Sequence, residues 1–265
     1  DLHSTSRRQR QMCIRDSYET LHRENQVLVC AQSNTAVDWI AEKLVDRGVP
    51  VLRIGNPSRV NDKMFSFTYE RRFEEHPAYT ELWGIRKSIR EMGNRMRKSS
   101  YSEREAARSR INHLRERATE LEIQINEDLF SGARVIASTL VSSNHRILTG
   151  RRFTTLFIDE AAQALEAACW IAIRKADRVI FAGDHCQLPP TIKCIEAARN
   201  GLEQTLMEKV AANKQETVSL LKVQYRMHQS IMQFSSEWFY QDELQAAPEA
   251  VSYTHLRAHE TAANL

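Results

Sequence analysis

Short apolar runs alternating with helical patterns constrain this chain more than any other feature. Val27-Leu-Val-Cys-Ala31, Val49 to Ile54, Arg134-Val-Ile-Ala-Ser-Thr139, Thr155 to Ile158 and Asp177-Arg-Val-Ile-Phe-Ala-Gly183 are rich in Val, Ile, Leu and Phe. Runs of this kind fit strands buried on both faces by helices, which is the layering of a parallel α/β sheet. Between the first two, Ala36, Val37, Ile40, Ala41 and Leu44 recur at helical spacing, and Gly48 closes the helix. Gly55-Asn-Pro57 then stops the second run, so this stretch reads as strand, helix, strand: one crossover unit.

From about Leu82 to Leu129 the pattern changes. Arg86, Lys87, Arg90, Arg95, Arg97 and Lys98 precede an Arg/Glu-rich stretch carrying Ile111, Leu114, Ala118, Leu121 and Ile125 in a heptad-like stripe. With Gly93 and the Lys98-Ser-Ser-Tyr101 break between them, the two halves predict a helical hairpin inserted into the α/β domain. Such a charged pair is first of all a solvated insertion; its basic half also suits a phosphate backbone.

The chain has 265 residues, 42% of them hydrophobic and 27% charged, enough apolar material for a core in one or two domains. Its net charge of +3 is too mild to imply nucleic-acid binding without local patches. Cys13, Cys30, Cys169, Cys186 and Cys194 form no CxxC pair and match neither a disulfide framework nor a zinc site, which fits a reducing, cytoplasmic setting. No run reaches the roughly 20 apolar residues of a membrane span, and no secretory signal is present. Residues 1–20 and 251–265 show no periodicity and resemble translated adaptor sequence; native disordered tails are the alternative.

Leu156-Phe-Ile158 predicts a strand with Asp159-Glu160 at its carboxyl end, where ligands bind in open α/β sheets. Adjacent acids there suit a bound cation: in phosphoryl transfer one holds Mg²⁺ and the next orients the attacking water. Ala161-Ala162 allow close approach of a nucleotide. One strand later comes Gly183-Asp184-His185-Cys186-Gln187-Leu-Pro189-Pro190, in which Gly183 permits an unusual backbone angle and the prolines stiffen the loop. The Gln187 amide can donate to a terminal phosphate. His185 and Cys186 lack further ligands at metal-binding spacing. In Gln224-Tyr225-Arg226-Met227-His228, Tyr225 suits base stacking and Arg226 suits a phosphate.

Taken together, these segments resemble the superfamily 1B DNA/RNA helicases, the group containing the nonsense-mediated-decay helicase and the immunoglobulin-mu-binding helicase. VLVCAQSNTAVDWI resembles motif Ia, RVIAST motif Ic, LFIDEAAQALEA motif II, VIFAGDHCQLPPTI motif III and LLKVQYRMHQSIMQFSSEWFYQDELQAAP motif IV. The resemblance implies a RecA-like sheet of the P-loop NTPase type (residues 21–81 and 131–215) with the helical insertion at 82–130. It also implies the start of a second RecA-like domain at 216–250. ATP and Mg²⁺ would be the cofactors and single-stranded DNA or RNA the partner, with 5′ to 3′ movement.

Residue by residue, the resemblance gives Asp159 the Mg²⁺ and Glu160 the water. Gln187 would sense the γ-phosphate beside Gly183 and Asp184, and Tyr225 would stack on adenine next to Gln224. Arg226 would contact the γ-phosphate, while Ser33, Asn34, Thr139, Pro189 and Pro190 would lie on the nucleic acid. The hydroxyls and amide among these suit sugar-phosphate contacts without sequence readout. No GxxxxGK[ST] occurs in the chain, and Gln229 stands where many members have proline. The chain is therefore expected to be the middle of a helicase, inactive in hydrolysis by itself, with the phosphate loop encoded upstream of residue 21. A nucleic-acid-stimulated remodelling ATPase and a non-catalytic binding fragment are the alternatives.

Overall fold

The computed structural model describes residues 14, 17, 19–96 and 101–248. The tail at 251–265, most of the tail at 1–20, and Lys98 to Ser100 of the expected hairpin break fall outside them. The chain divides into two compact units. Among the described residues, one comprises those from Ile14 to Asp159 together with Ala168–Ile180; the other comprises Glu160–Ala167 and those from Phe181 to Pro248.

The first unit carries the sheet. Its strands are β1 (Val27–Ala31), β2 (Val51–Ile54), β3 (Val135–Thr139), β4 (Phe153–Asp159) and β5 (Ala176–Phe181), in the order β2-β3-β1-β4-β5. The sheet is parallel and flanked by helices, the α/β layering that the apolar runs predict and the RecA-like fold that the resemblance implies. Helix α1 (Asn34–Val45) supplies the first crossover: Ala36, Val37, Ile40, Ala41 and Leu44 are all buried, and Ser33 caps its first turn. Gly48, at φ +75, follows the helix end in the left-handed conformation that glycine adopts without a Cβ clash.

β1 to β4 are buried almost throughout, as expected for strands covered on both faces. β5 departs from that expectation, since Asp177 and Arg178 are exposed and Val179 to Phe181 are only partly covered. The physical reason is its position: β5 ends the strand order, and strand order leaves no mark in a local apolar pattern. At the opposite edge, β2 is extended by a bridge from Arg53 to Thr68.

The inserted hairpin forms from α2 (Tyr79–Met96) and α3 (Tyr101–Ser131). Leu82 packs with Ala118, Leu121 and Ile125, joined at the periphery by Phe73, Tyr79 and Ile85. Three members of the heptad stripe thus meet the partner helix, and burying the Leu and Ile side chains contributes on the order of 1.5–3 kcal/mol each. Ion pairs Arg86–Glu122 at 2.6 Å and Arg117–Glu81 at 3.0 Å cross the same seam. Both are half exposed, so they set register more than stability. At the base, Gln26 Nε2 donates to the carbonyls of Phe130 and Ala133, each at 2.8 Å, fastening the hairpin to the strand β1 that follows.

The second unit holds helices α5 (Leu206–Asn213) and α6 (Gln229–Phe239) and a short parallel pair, β6 (Val223–Gln224) with β7 (Gln245–Ala246). Thr205 and Glu208 form a reciprocal capping box at the start of α5. Helix α4 (Glu166–Ile173) spans the division of the chain.

Candidate functional site

Register in the sheet aligns the polar residues that the sequence singles out. Ala31 at the end of β1 is opposite Thr139 on one side and Asp159 on the other, so all three lie in one row at the carboxyl edge. The chain leaves β1 through Gln32 and Ser33 directly into α1. Ser33, Asn34, Thr139 and Asp159 are therefore gathered at one end of three adjacent strands, as ligand-binding residues are in sheets of this kind.

Asp159 is 1% exposed. A carboxylate buried to that degree is costly unless a cation or donors compensate it, and this environment fits a Mg²⁺ ligand. Glu160 follows in the left-handed region (φ 54, ψ 37), a conformation that costs a non-glycine residue on the order of 1–3 kcal/mol. No sequence signal announces this turn; it is the kind of local strain that clusters at functional sites.

The strand-contact candidates are already engaged in the fold. The Ser33 hydroxyl accepts from the Ala36 amide at 3.1 Å as the helix cap. Thr139 Oγ1 donates to Ser142 Oγ at 2.8 Å and accepts from the Ser142 amide. Asn34 Oδ1 accepts from Arg53 Nη2 at 2.9 Å. Arg53 is a residue that the sequence pattern does not single out: a charge inside the apolar strand β2, 0% exposed. Its Nε pairs with Asp38 Oδ1 at 2.7 Å, and Asp38 Oδ2 accepts from the Asn61 amide at 3.0 Å. Arg53 and Asp38 together fix the rotamer of Asn34. A lone Arg in a strand and an Asp on the buried face of α1 were the available clues.

In the second unit, Gly183 does not adopt a positive φ, so the angle that glycine permits is not what the loop uses. What requires glycine is close approach. A Cβ there would lie 2.9 Å from both the Ala162 amide nitrogen and Met207 Sδ, and 3.1 Å from the Ala161 nitrogen. Ala161 N also donates to the Ala182 carbonyl at 3.0 Å. The turn after Glu160 and the loop from Gly183 are thus pressed together backbone to backbone.

Asp184 organises that loop. Its Oδ1 accepts from the Cys186 amide at 3.0 Å, and its Oδ2 accepts from Gln187 Nε2 at 2.7 Å and from Tyr240 Oη at 2.6 Å. Tyr240, at the end of α6, was not among the expected site residues; it stands 56 positions away in sequence. Burial and the hydrogen bond to the Asp184 carboxylate both push its phenol well above the usual tyrosine range. Burial and the nearby Asp184 charge likewise raise the Cys186 thiol.

Asp184, His185 and Cys186 bring potential metal-ligand atoms within 4.8 Å of one another. Their sequence spacing alone gave no such triad, because Asp184 supplies the third group. With three donors already on its oxygens, that carboxylate is committed to holding the loop. Pro189 is exposed and Pro190 buried beyond it.

The Gln224-Tyr225-Arg226 segment forms a tight turn. Gln224 Oε1 accepts from the amides of Arg226 and Met227, both at 2.8 Å, and its Nε2 donates to the Met227 carbonyl at 2.6 Å. Gln224 therefore shapes the turn from which Tyr225, 42% exposed, projects.

Two models described as "AAA domain" match the chain, over residues 3–194 and 202–264. Among curated proteins, it is 34% identical to the rat "DNA-binding protein SMUBP-2", covering 86% of this chain and 24% of that protein. It is 32% identical to the "DNA polymerase alpha-associated DNA helicase A" of Schizosaccharomyces pombe, covering 86% and 34%. A "Regulator of nonsense transcripts 1 homolog" from Arabidopsis thaliana is 37% identical, covering 84% and 17%. The chain thus spans a quarter to a third of the first two. The order of motifs, the parallel sheet and these matches together show that the chain belongs to the AAA-domain family of superfamily 1 helicases.

Proposed function

We propose that this chain is the hydrolytic and strand-contacting segment of an ATP-driven helicase acting on single-stranded DNA or RNA, moving 5′ to 3′. The alignment of Asp159 with Ala31 and Thr139 at the carboxyl edge of the sheet carries this reading. In it, Asp159 holds Mg²⁺, and the bound ion supplies charge neutralisation at the phosphates. Glu160 orients and deprotonates the attacking water. Gln187, held by Asp184, meets the terminal phosphate with its remaining amide hydrogen. Tyr225 stacks on the base, Arg226 reaches the γ-phosphate, and Ser33, Asn34 and Thr139 contact the sugar-phosphate chain.

The test is strand-stimulated ATP hydrolysis and duplex unwinding by a protein carrying this segment together with a phosphate-binding loop. Glu160→Gln is expected to lower turnover by at least about a hundredfold, within the usual range for losing a general base, while nucleotide binding persists. Turnover unaffected by Glu160→Gln would sink the assignment. Strand-stimulated hydrolysis without unwinding would instead favour the remodelling ATPase. The isolated chain, which contains no GxxxxGK[ST], is expected to bind strands without measurable hydrolysis.

A further inference from the structure

At the amino end of β4, away from Asp159, the first unit has a cavity of about 370 Å³ lined by Asn144, Gly150, Arg151, Arg152, Ile171, Arg174 and Lys175. Four of these seven residues are cationic and none is acidic. Backbone geometry assembles them: the Phe153 amide donates to the Lys175 carbonyl at 2.7 Å, which joins the start of β4 to the segment after α4. Arg151 Cζ lies over the Phe130 ring, 3.6 Å from its centroid, and Lys175 Nζ donates to the Leu148 carbonyl at 2.9 Å. Arg152 has an acidic partner, Asp177 at 2.5 Å. Arg174 is exposed beside the opening.

Burial, and for Lys175 also the adjacent Arg174 charge, holds Arg151 and Lys175 below their usual pKa ranges. Cations concentrated in this way gain most from an anion that restores the lost hydration. One helical turn before Arg174 stands Trp170, 48% exposed. An aromatic face beside clustered guanidinium groups is the combination that binds unpaired bases and their phosphates.

We propose that this cavity is a second nucleic-acid contact, which takes the phosphodiester backbone of a single strand at the amino edge of the sheet, with Trp170 stacking on an adjoining base. Trp170, one helical turn from Arg174, offers a base a surface that a free phosphate would not use. The choice of ligand rests on the nucleic-acid reading of the carboxyl edge, but the residues are separate.

The experiment is anisotropy titration of a labelled 12-nucleotide oligothymidylate with the chain, across a salt series. Arg174→Glu is expected to weaken binding about tenfold at low salt and to reduce the slope of log K against log salt by roughly 0.7, the value for one single-strand phosphate contact. Arg174→Lys should restore most of both, and the melting temperature of each variant should stay that of the parent. Trp170→Phe should abolish part of the fluorescence quenching seen when strand is added.

Asn34→Asp separates the two edges, because it keeps the acceptor for Arg53 while placing a negative charge at the carboxyl edge. Affinity lost in Arg174→Glu but retained in Asn34→Asp leaves the second contact standing and removes the first. Loss confined to Asn34→Asp, or a parent chain that binds no strand, overturns the second contact. Pyrophosphate binding abolished by Arg174→Glu with strand affinity unchanged also overturns it, leaving a small-anion pocket.

Discussion

Arg53 Nη2 donates to Asn34 Oδ1 at 2.9 Å from a position that is wholly buried, while the same guanidinium pairs with Asp38 at 2.7 Å. A residue at the edge of the sheet is thereby held by a charge inside it. Arg53→Met should leave Asp38 buried without its partner and cost about 3–5 kcal/mol in chemical denaturation. Strand affinity should fall as well, because Asn34 loses its restraint. The double variant Arg53→Met/Asp38→Leu should recover most of the stability but not the affinity. A double variant no more stable than the single one would show that the unpaired charge is not the cause.

Gly183→Ala should destabilise the second unit by about 1–3 kcal/mol, the usual cost of forcing an extra carbon into a packed site. The added Cβ meets the Ala162 backbone at 2.9 Å, which cannot give way as a flexible side chain does. A loss below about 0.5 kcal/mol, the scale of ordinary surface changes, would mean that the turn relaxes freely.

Tyr240 links stability to alkaline pH. Its folded pKa is raised, by burial and then by the Asp184 hydrogen bond, above the unfolded value of about 10. The native state therefore keeps this proton where the unfolded state has lost it. Its contribution is full below about pH 10 and declines as pH rises further. Phenolate absorbance should show one tyrosine titrating late in the folded chain. Tyr240→Phe should remove that late titration and leave Gln187 Nε2 as the remaining side-chain donor to Asp184 Oδ2. A folded chain whose tyrosines all titrate near pH 10 would contradict this.

Thiol reactivity should follow burial. Cys30 is 0% exposed, and burial pushes its thiol up to about 12 despite the Ser138 hydroxyl at 3.4 Å. Cys169 is buried and Cys194 exposed. Iodoacetamide at neutral pH should modify Cys194 readily and spare Cys30 and Cys169 until the chain unfolds. Labelling of Cys30 at a rate like that of Cys194 would contradict the packing of β1.

The sheet was legible where the signal is local. β1 falls on the apolar run it was read from, α1 buries the very residues whose spacing announced it, and the hairpin meets along its heptad positions. The contacts that shape the site were not legible, for a physical reason: they join residues distant in sequence. Nothing near Tyr240 indicates that Asp184 is its partner, and nothing near Arg53 indicates that an Asn and an Asp on α1 enclose it. Gly183 was correctly marked as special but for the wrong cause, since close approach depends on what arrives from elsewhere. The exposure of β5 depends on its place in the strand order, which an apolar run does not encode.

The inserted hairpin has a further consequence. At 31 residues, α3 extends roughly 46 Å at 1.5 Å per residue, and its base is pinned to the sheet through Gln26. Such a rod acts as a pointer: a tilt of about 5° at the base displaces its far end by some 4 Å over that length. A fluorophore near the start of α3 would therefore magnify small movements of the strand β1 beneath it into distances that energy transfer can read.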